Sequence, residues 1–370
     1  MMLMATTGFT GFFVTLSALP AWIASQGSST ASAGATTTVM LGVTVACQPL
    51  VPALLRRLPT TAVVALGMVA LGAPAPALIW ADSGAGLYAI CAIRGVGFAI
   101  FTIAGTVSTG EIAPGRHGEL AGLYGLAAAI PNVAFVPLSV LLLHDVGFWP
   151  VAVLAALPVP GALFAIGAGS RRSGAGPHGV GAASPVSGAG AAVRRALAPA
   201  AVLCGLTIAG GAVVTILPIT RSGFVATAGL AVFGATAAAA RWQAGARVRR
   251  HGVGVLLPVA CVIAAAGLLA LAAGLSGGGA VAVLVGCGVA GVGYGAAQSL
   301  TLVAAFARTG PRARATASAV WNVAFDSGTA VGAVLIGALT ATSLGVWGAF
   351  AVLAALALAS VPLALTSGRP

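Results

Sequence analysis

Apolar stretches of about twenty residues follow one another through nearly the whole chain, with only short loops between them. A helix of that length crosses the hydrocarbon core of a bilayer. A lipid-exposed open strand could not satisfy its backbone groups, and barrel strands are about half as long, so the stretches read as helices. Twelve spans are predicted, at 3–25, 36–55, 62–80, 86–109, 119–143, 148–168, 196–217, 222–240, 253–274, 279–306, 316–340 and 344–366. The first lacks a basic leading segment and is long enough to cross, so it reads as span 1 and not as a secretory signal. Charged residues make up 6% of the chain and hydrophobic ones 59%, with mean hydropathy +1.08. A soluble domain carries roughly a quarter charged residues, so lipid must be part of this chain's solvent.

All seventeen basic residues are Arg, and the formal charge is +12. A nucleic-acid binder would gather them on one solvated face. Here they stand in short clusters between apolar runs, so nucleic acid is not an expected partner. With the N-terminus inside, the inner loops and tail receive Arg56, Arg57, Arg116, Arg171, Arg172, Arg194, Arg195, Arg241, Arg247, Arg249, Arg250, Arg308, Arg312, Arg314 and Arg369. Only Arg221 falls in an outer loop, and Arg94 falls within a span. This alternation supports an even helix count and cytoplasmic termini. The five cysteines lie inside apolar runs without a CxxC, which implies neither a disulfide framework nor a metal site, and no cofactor is implied.

Gly, Ser and Pro fill the segment between spans 6 and 7, flanked by Arg pairs and carrying His178. It reads as a cytoplasmic linker at 171–195 between an N-terminal six-helix bundle (1–170) and a C-terminal one (196–370). An internal repeat gives the same division. RGVGF at 94–98 answers AGVGY at 290–294, offset by 196, and LLRRLP at 54–59 answers RVRRHG at 247–252, offset by 193. Parallel six-helix repeats are one architecture of secondary transporters.

On these residues the chain resembles the major facilitator superfamily over its whole length. Arg94, Gly95, Gly97 and Phe98 match an Arg and Gly-rich run of that family's fourth helix. PGRHGELAGLY (Pro114 to Tyr124) is similar to the PxxRRGExxGxY of its efflux members, with His117 at the second Arg. Phe325, Asp326, Gly328 and Gly332 match the FDxGxxxG of some efflux members. The likeness is best to the twelve-helix drug-proton antiporter and sugar-efflux group. It implies an all-helical fold of two six-helix bundles, a small-molecule substrate, a proton as coupling ion, and a monomer in the cytoplasmic membrane. The family's loop 2-3 signature, GxLaDrxGrr, appears as PALLRRLPTT, with Arg56 at the Asp position and Pro59 at a Gly position. Arg249 stands at the Asp position of the second copy.

Asp326 is the only acid well inside a span. A charge near the bilayer centre costs about 2.5 to 3.5 kcal/mol on insertion scales, so this carboxyl must be justified either by carrying a proton or by making a structural bond. Arg94 lies too deep for its stem to reach the surface easily. Its guanidinium could hold an anionic substrate group, pair with Asp326, or tie its helix to backbone carbonyls. Gln48, Asn132, Gln298, Trp321 and Asn322 are candidate cavity residues, each of which could instead serve bonding between helices. Gly95, Gly97, Gly328 and Gly332 are expected at close helix contacts, and so are the glycines of GCGVAGVGYG (286–295), where no strand or acid supports a nucleotide fingerprint. Glu111 and Glu119 flank the fourth inner loop, where they would pair with Arg116 or join a gate.

An exporter exchanging a small, partly apolar molecule for protons is the expected function, with an uptake symporter or facilitator of the same fold as the alternative. An intramembrane protease would need a second deep acid, an HExxH or a deep His; the sequence has none of these, so no enzyme activity is expected. A non-transporting receptor is a further alternative.

Overall fold

A computed structural model describes residues 2–81, 84–112, 117–170, 189–221, 223–310 and 313–367, with side chains given except at 109–112, 117–126, 167–170, 189, 249 and 315. Arg116, Arg171, Arg172, His178, Arg312 and Arg369 lie outside the described residues. So do the side chains of Glu111, His117, Gly118, Glu119, Gly122, Tyr124 and Arg249.

The described residues are helical with no strand. The spans are α1 (Met2–Ser25), α2 (Thr30–Leu55), α3 (Thr60–Trp80), α4 (Ala85–Ile112), α5 (His117–Asp145), and α6, in two pieces (Trp149–Ala155 and Pro158–Ser170). They continue as α7 (Ala189–Thr220), α8 (Phe224–His251), α9 (Val253–Ala273), α10 (Gly279–Thr309), α11 (Arg314–Thr340) and α12 (Gly345–Ser367). α2 tightens into a 3-10 turn at Gln48–Leu50, where Pro49 removes a backbone donor. In α5, Pro131 and Pro137 sit inside an unbroken helix.

Two boundaries differ from the sequence reading. α7 begins at Ala189, so Arg194 and Arg195 are helical and not part of a linker. α8 runs on to His251 because nothing between Ala240 and His251 breaks a helix; the stop is Gly252, at φ 73°.

The apolar stretch Val253–Thr309 is 57 residues long and would extend about 85 Å if straight, far beyond the ~30 Å of a bilayer core. It doubles back at Gly277 (φ 126°) and Gly279 (φ 80°), in conformations that glycine adopts at little cost. With that turn the described residues supply twelve candidate crossings. Trp80, Trp149, Phe224 and Trp347 are well exposed. Each stands at a helix end that an alternating path places on the same side of the membrane, where aromatic rings settle at the lipid-water boundary.

Contacts divide the chain into two compact units, one of Met1–Ser28 with Val39–Ser184 and one of Ser29–Thr38 with Pro185–Pro370. In the first, Phe12 stacks on Phe98 with centroids 3.9 Å apart, and Phe9 meets Phe101 edge-on at 5.1 Å. In the second, the stretch Ser29–Thr38 runs antiparallel to α11. Thr30 Oγ1 donates to the Gly337 carbonyl at 3.2 Å and Thr38 Oγ1 to that of Ala330 at 2.6 Å, and a Cβ on Gly34 would strike the Ala333 carbonyl.

The same glycine seams recur in both units. A Cβ on Gly97 would overlap the Leu71 amide nitrogen and approach the Gly67 carbonyl; one on Gly293 would do the same to Ala264 and Ala260. Gly97 and Gly293 are 196 apart, and Leu71 and Ala264, like Gly67 and Ala260, are 193 apart. Gly95 presses on the Met40 carbonyl as Gly291 presses on that of Phe233, with the same two offsets. Without a hydrophobic drive between helices in lipid, such backbone-to-backbone contact is what holds helix pairs together.

Candidate functional site

In the first unit, Arg94 is ten residues into α4 and 0% exposed. Gly95 beside it and Gly97 beyond let α2 and α3 close on α4. Its Nη1 donates to the Leu71 carbonyl at 3.0 Å, and its Nη2 to the Gly11 carbonyl at 2.8 Å and Thr15 Oγ1 at 3.0 Å. One guanidinium thus ties α4 to α1 and α3, and only Nε lacks a partner. Charge-assisted bonds to carbonyls are a way to keep a cation in a low-dielectric interior. Gln48 is half-buried at the 3-10 turn of α2, and Asn132 is exposed on α5.

The second unit does gather polar groups. Asp326 is half-buried on α11, on the face opposite Gly328 and Gly332, which press on α7 at Thr207 and Ile208. Trp321 is 8% exposed, donates from Nε1 to Thr301 Oγ1 on α10 at 3.1 Å, and stacks on Phe325 at 5.5 Å. Gln298, one turn before Thr301 and 6% exposed, accepts a 3.1 Å hydrogen bond at Oε1 from Arg241 Nη1 on α8. Tyr294 is one turn before Gln298 on α10; its ring lies against Gly210 of α7 and is tilted on Phe233 of α8, with centroids 5.2 Å apart. Asn322 is exposed one turn from Asp326, and its Nδ2 donates to the Ser318 carbonyl of its own helix at 2.9 Å.

Helix register sets these groups at one depth. Gly291 meets Phe233, Gly295 meets Ala237 and Gln298 meets Arg241, so α8 and α10 run parallel; α11 returns antiparallel after a short turn. At about 1.5 Å per residue, Arg241 and Gln298 lie about 15 Å from the ends of α8 and α10, and Asp326 lies about 18 Å from the start of α11. The other ends of these helices are about 25, 29 and 21 Å away, so all three groups lie in the half of each helix nearer its Arg-bearing end.

Two members of this cluster, Arg241 and Tyr294, are not among the site residues expected from sequence. The charge alternation puts Arg241 in an inner loop; in the structure it is helical, seven residues before the end of the span Phe224–Val248. A signal for it exists: the 193 offset of the repeat places Arg241 opposite Gln48, itself a candidate cavity residue.

The family model described as Major Facilitator Superfamily matches residues 1–333. The chain belongs to that superfamily. Its fold is similar to those of other major facilitator transporters of known structure. A nucleoside transporter, NupG, superposes with TM-score 0.76 at 13% identity, covering 100% of this chain and 98% of that one. A bacterial homologue of the human lysosomal transporter Spinster, in an inward-facing and occupied conformation, gives 0.75 at 15%, covering 99% and 93%. A POT family transporter in complex with a thioalcohol-conjugated peptide gives 0.75 at 13%, covering 99% and 94%. At such identities the likeness concerns the fold. Comparison with curated proteins gives no sequence match.

Proposed function

We propose that this major facilitator protein is a proton-coupled secondary transporter of the cytoplasmic membrane, moving one small molecule by alternating access as a monomer with both termini in the cytoplasm. The observation that carries the coupling is Asp326, a half-buried carboxyl within a membrane span, next in sequence to the Trp321–Phe325 stack. A carboxyl that takes up a proton in one facing state and releases it in the other is what a proton carrier needs. Export with the proton as counter-ion is the mode favoured by the likeness of PGRHGELAGLY and FDSGTAVG to efflux members.

Liposomes holding the purified chain under an imposed pH gradient test the proposal with a compound panel. The expected result is solute movement that follows the gradient and is lost in Asp326→Asn. Gradient-driven movement that persists in that variant removes Asp326 from the coupling, and movement of no compound removes the transport reading.

A further inference from the structure

Phe224 and Trp242 stand at opposite ends of one face of α8. They are eighteen residues apart, which is five full turns and a rise of about 27 Å, and they are 78% and 77% exposed. Ala235, Ala238 and Ala239 are exposed between them, while Ala237 and Arg241 turn toward α10 at Gly295 and Gln298. This is an apolar strip about as long as the hydrocarbon core is thick, with an aromatic ring at each boundary. α8 does not end there. It runs on to His251 and carries Arg247 and Arg250, both exposed, about 7.5 and 12 Å past Trp242. Stems that reach back toward the membrane set both guanidiniums in the layer of lipid phosphates.

Among the described residues neither cation meets a carboxylate, and their one hydrogen bond runs from Arg247 Nη1 to the neutral Gln243 Oε1 of the same helix. The negative end of α8 offsets about half a charge, less than either cation carries. Acids are scarce throughout, five against seventeen Arg, and in the sequence only Glu111 and Glu119 fall beside loops on the Arg-bearing side. The departure from the superfamily's loop signature also has the same sign twice. Arg56 and Arg249 both stand at an Asp position, and Arg57, the repeat counterpart of Arg250, is exposed as well. Topology asks for a surplus of positive charge on this side, not for the reversal of both signature acids.

We infer that the His251 end of α8 is a docking surface for the headgroup of an anionic phospholipid in the adjoining leaflet, with Trp242 fixing the depth and Arg247 and Arg250 holding the phosphate. The two Arg are three residues apart and share a helix face, and guanidinium forks suit phosphate oxygens. Each Arg next to an anionic leaflet strengthens binding about fivefold. A free phosphate has no acyl chain to lie along the alanine strip below Trp242, so the occupant is the lipid. The surface acts whichever solute the chain moves.

The test is thermal stabilisation of the purified full-length chain in detergent by short-chain phosphatidylglycerol, set against phosphatidylcholine of the same chain length and against glycerol phosphate. Phosphatidylglycerol is expected to stabilise the wild type saturably, at a concentration about tenfold or more below that of phosphatidylcholine, and less well as salt is raised. Glycerol phosphate should do nothing. Arg247→Gln and Arg250→Gln should each weaken the effect about fivefold and the double variant about 25-fold, while the double Lys variant keeps most of it. Arg194→Gln with Arg195→Gln removes an equal charge from an exposed pair on α7 and should change nothing. Trp242→Ala keeps every charge and should still weaken the effect, a readout that stands even if the glutamine variants fail to insert. Phosphatidylcholine as effective as phosphatidylglycerol, a loss of the same size from the Arg194 and Arg195 variant, stabilisation by glycerol phosphate alone, or no saturable effect of any lipid would each overturn the docking surface.

Discussion

Gly97 of α4 packs so closely on Leu71 of α3 that no side chain fits between the two backbones. The neighbour that a methyl group would meet is main chain, which cannot swing aside. Gly97→Ala and Gly293→Ala are each expected to lower the stability of the ligand-free protein by about 1 to 3 kcal/mol, the usual penalty for overpacking. Gly42→Ala, in a helix with nothing within 4 Å of the added carbon, should be neutral or stabilising by up to about 1 kcal/mol. Melting in detergent distinguishes the two classes.

Arg94 acts as a three-helix tie in the absence of any substrate. Arg94→Ala should therefore cost about 2 to 3 kcal/mol in the empty protein through lost charge-assisted bonds to Leu71, Gly11 and Thr15. Arg94→Lys should recover only part of this, because one ammonium cannot reach both carbonyls in the geometry of a planar fork. A melting temperature unchanged by either variant would contradict the tie.

Asp326→Asn should leave the fold intact and abolish accumulation driven by a pH gradient, while exchange of labelled for unlabelled solute continues. Asp326→Glu should retain driven accumulation at a reduced rate. Flux assays in both modes, on the same vesicles, check the pair.

Trp321 and Thr301 join α11 to α10 by one hydrogen bond, at 3.1 Å. Trp321→Phe keeps the ring against Phe325 and should cost about 1 kcal/mol, as should Thr301→Val. The double variant should cost less than the sum of the two, since each alone already breaks the same bond. Chemical melts of the four proteins give the coupling directly.

Span positions are legible in the sequence because lipid thickness imposes a length on every apolar run, and the offsets of 193 and 196 foretell which glycines occupy equivalent seams. Other features leave no such mark. The partners of Arg94 are backbone carbonyls, which every residue has and no pattern displays. Arg241 is misplaced by the alternation of charge, because that rule is satisfied equally by an Arg in a loop and by one a few turns inside a long helix. Asp326, Gln298 and Trp321 can each be singled out as polar groups in lipid, but the bonds of Gln298 to Arg241 and of Trp321 to Thr301 depend on the parallel register of α8 and α10 and on the return of α11.

The bend between α9 and α10 has a consequence for how the protein is made. No charged residue interrupts the chain from Val253 until Arg308, so the insertion machinery receives one unbroken ribbon of oily sequence. What folds that ribbon into two crossings is the freedom of Gly277 and Gly279 to enter backbone conformations closed to other residues. Without that turn the segment bearing Asp326 would run the other way through the bilayer, so two residues that have no side chains let it keep the orientation that the flanking Arg clusters favour.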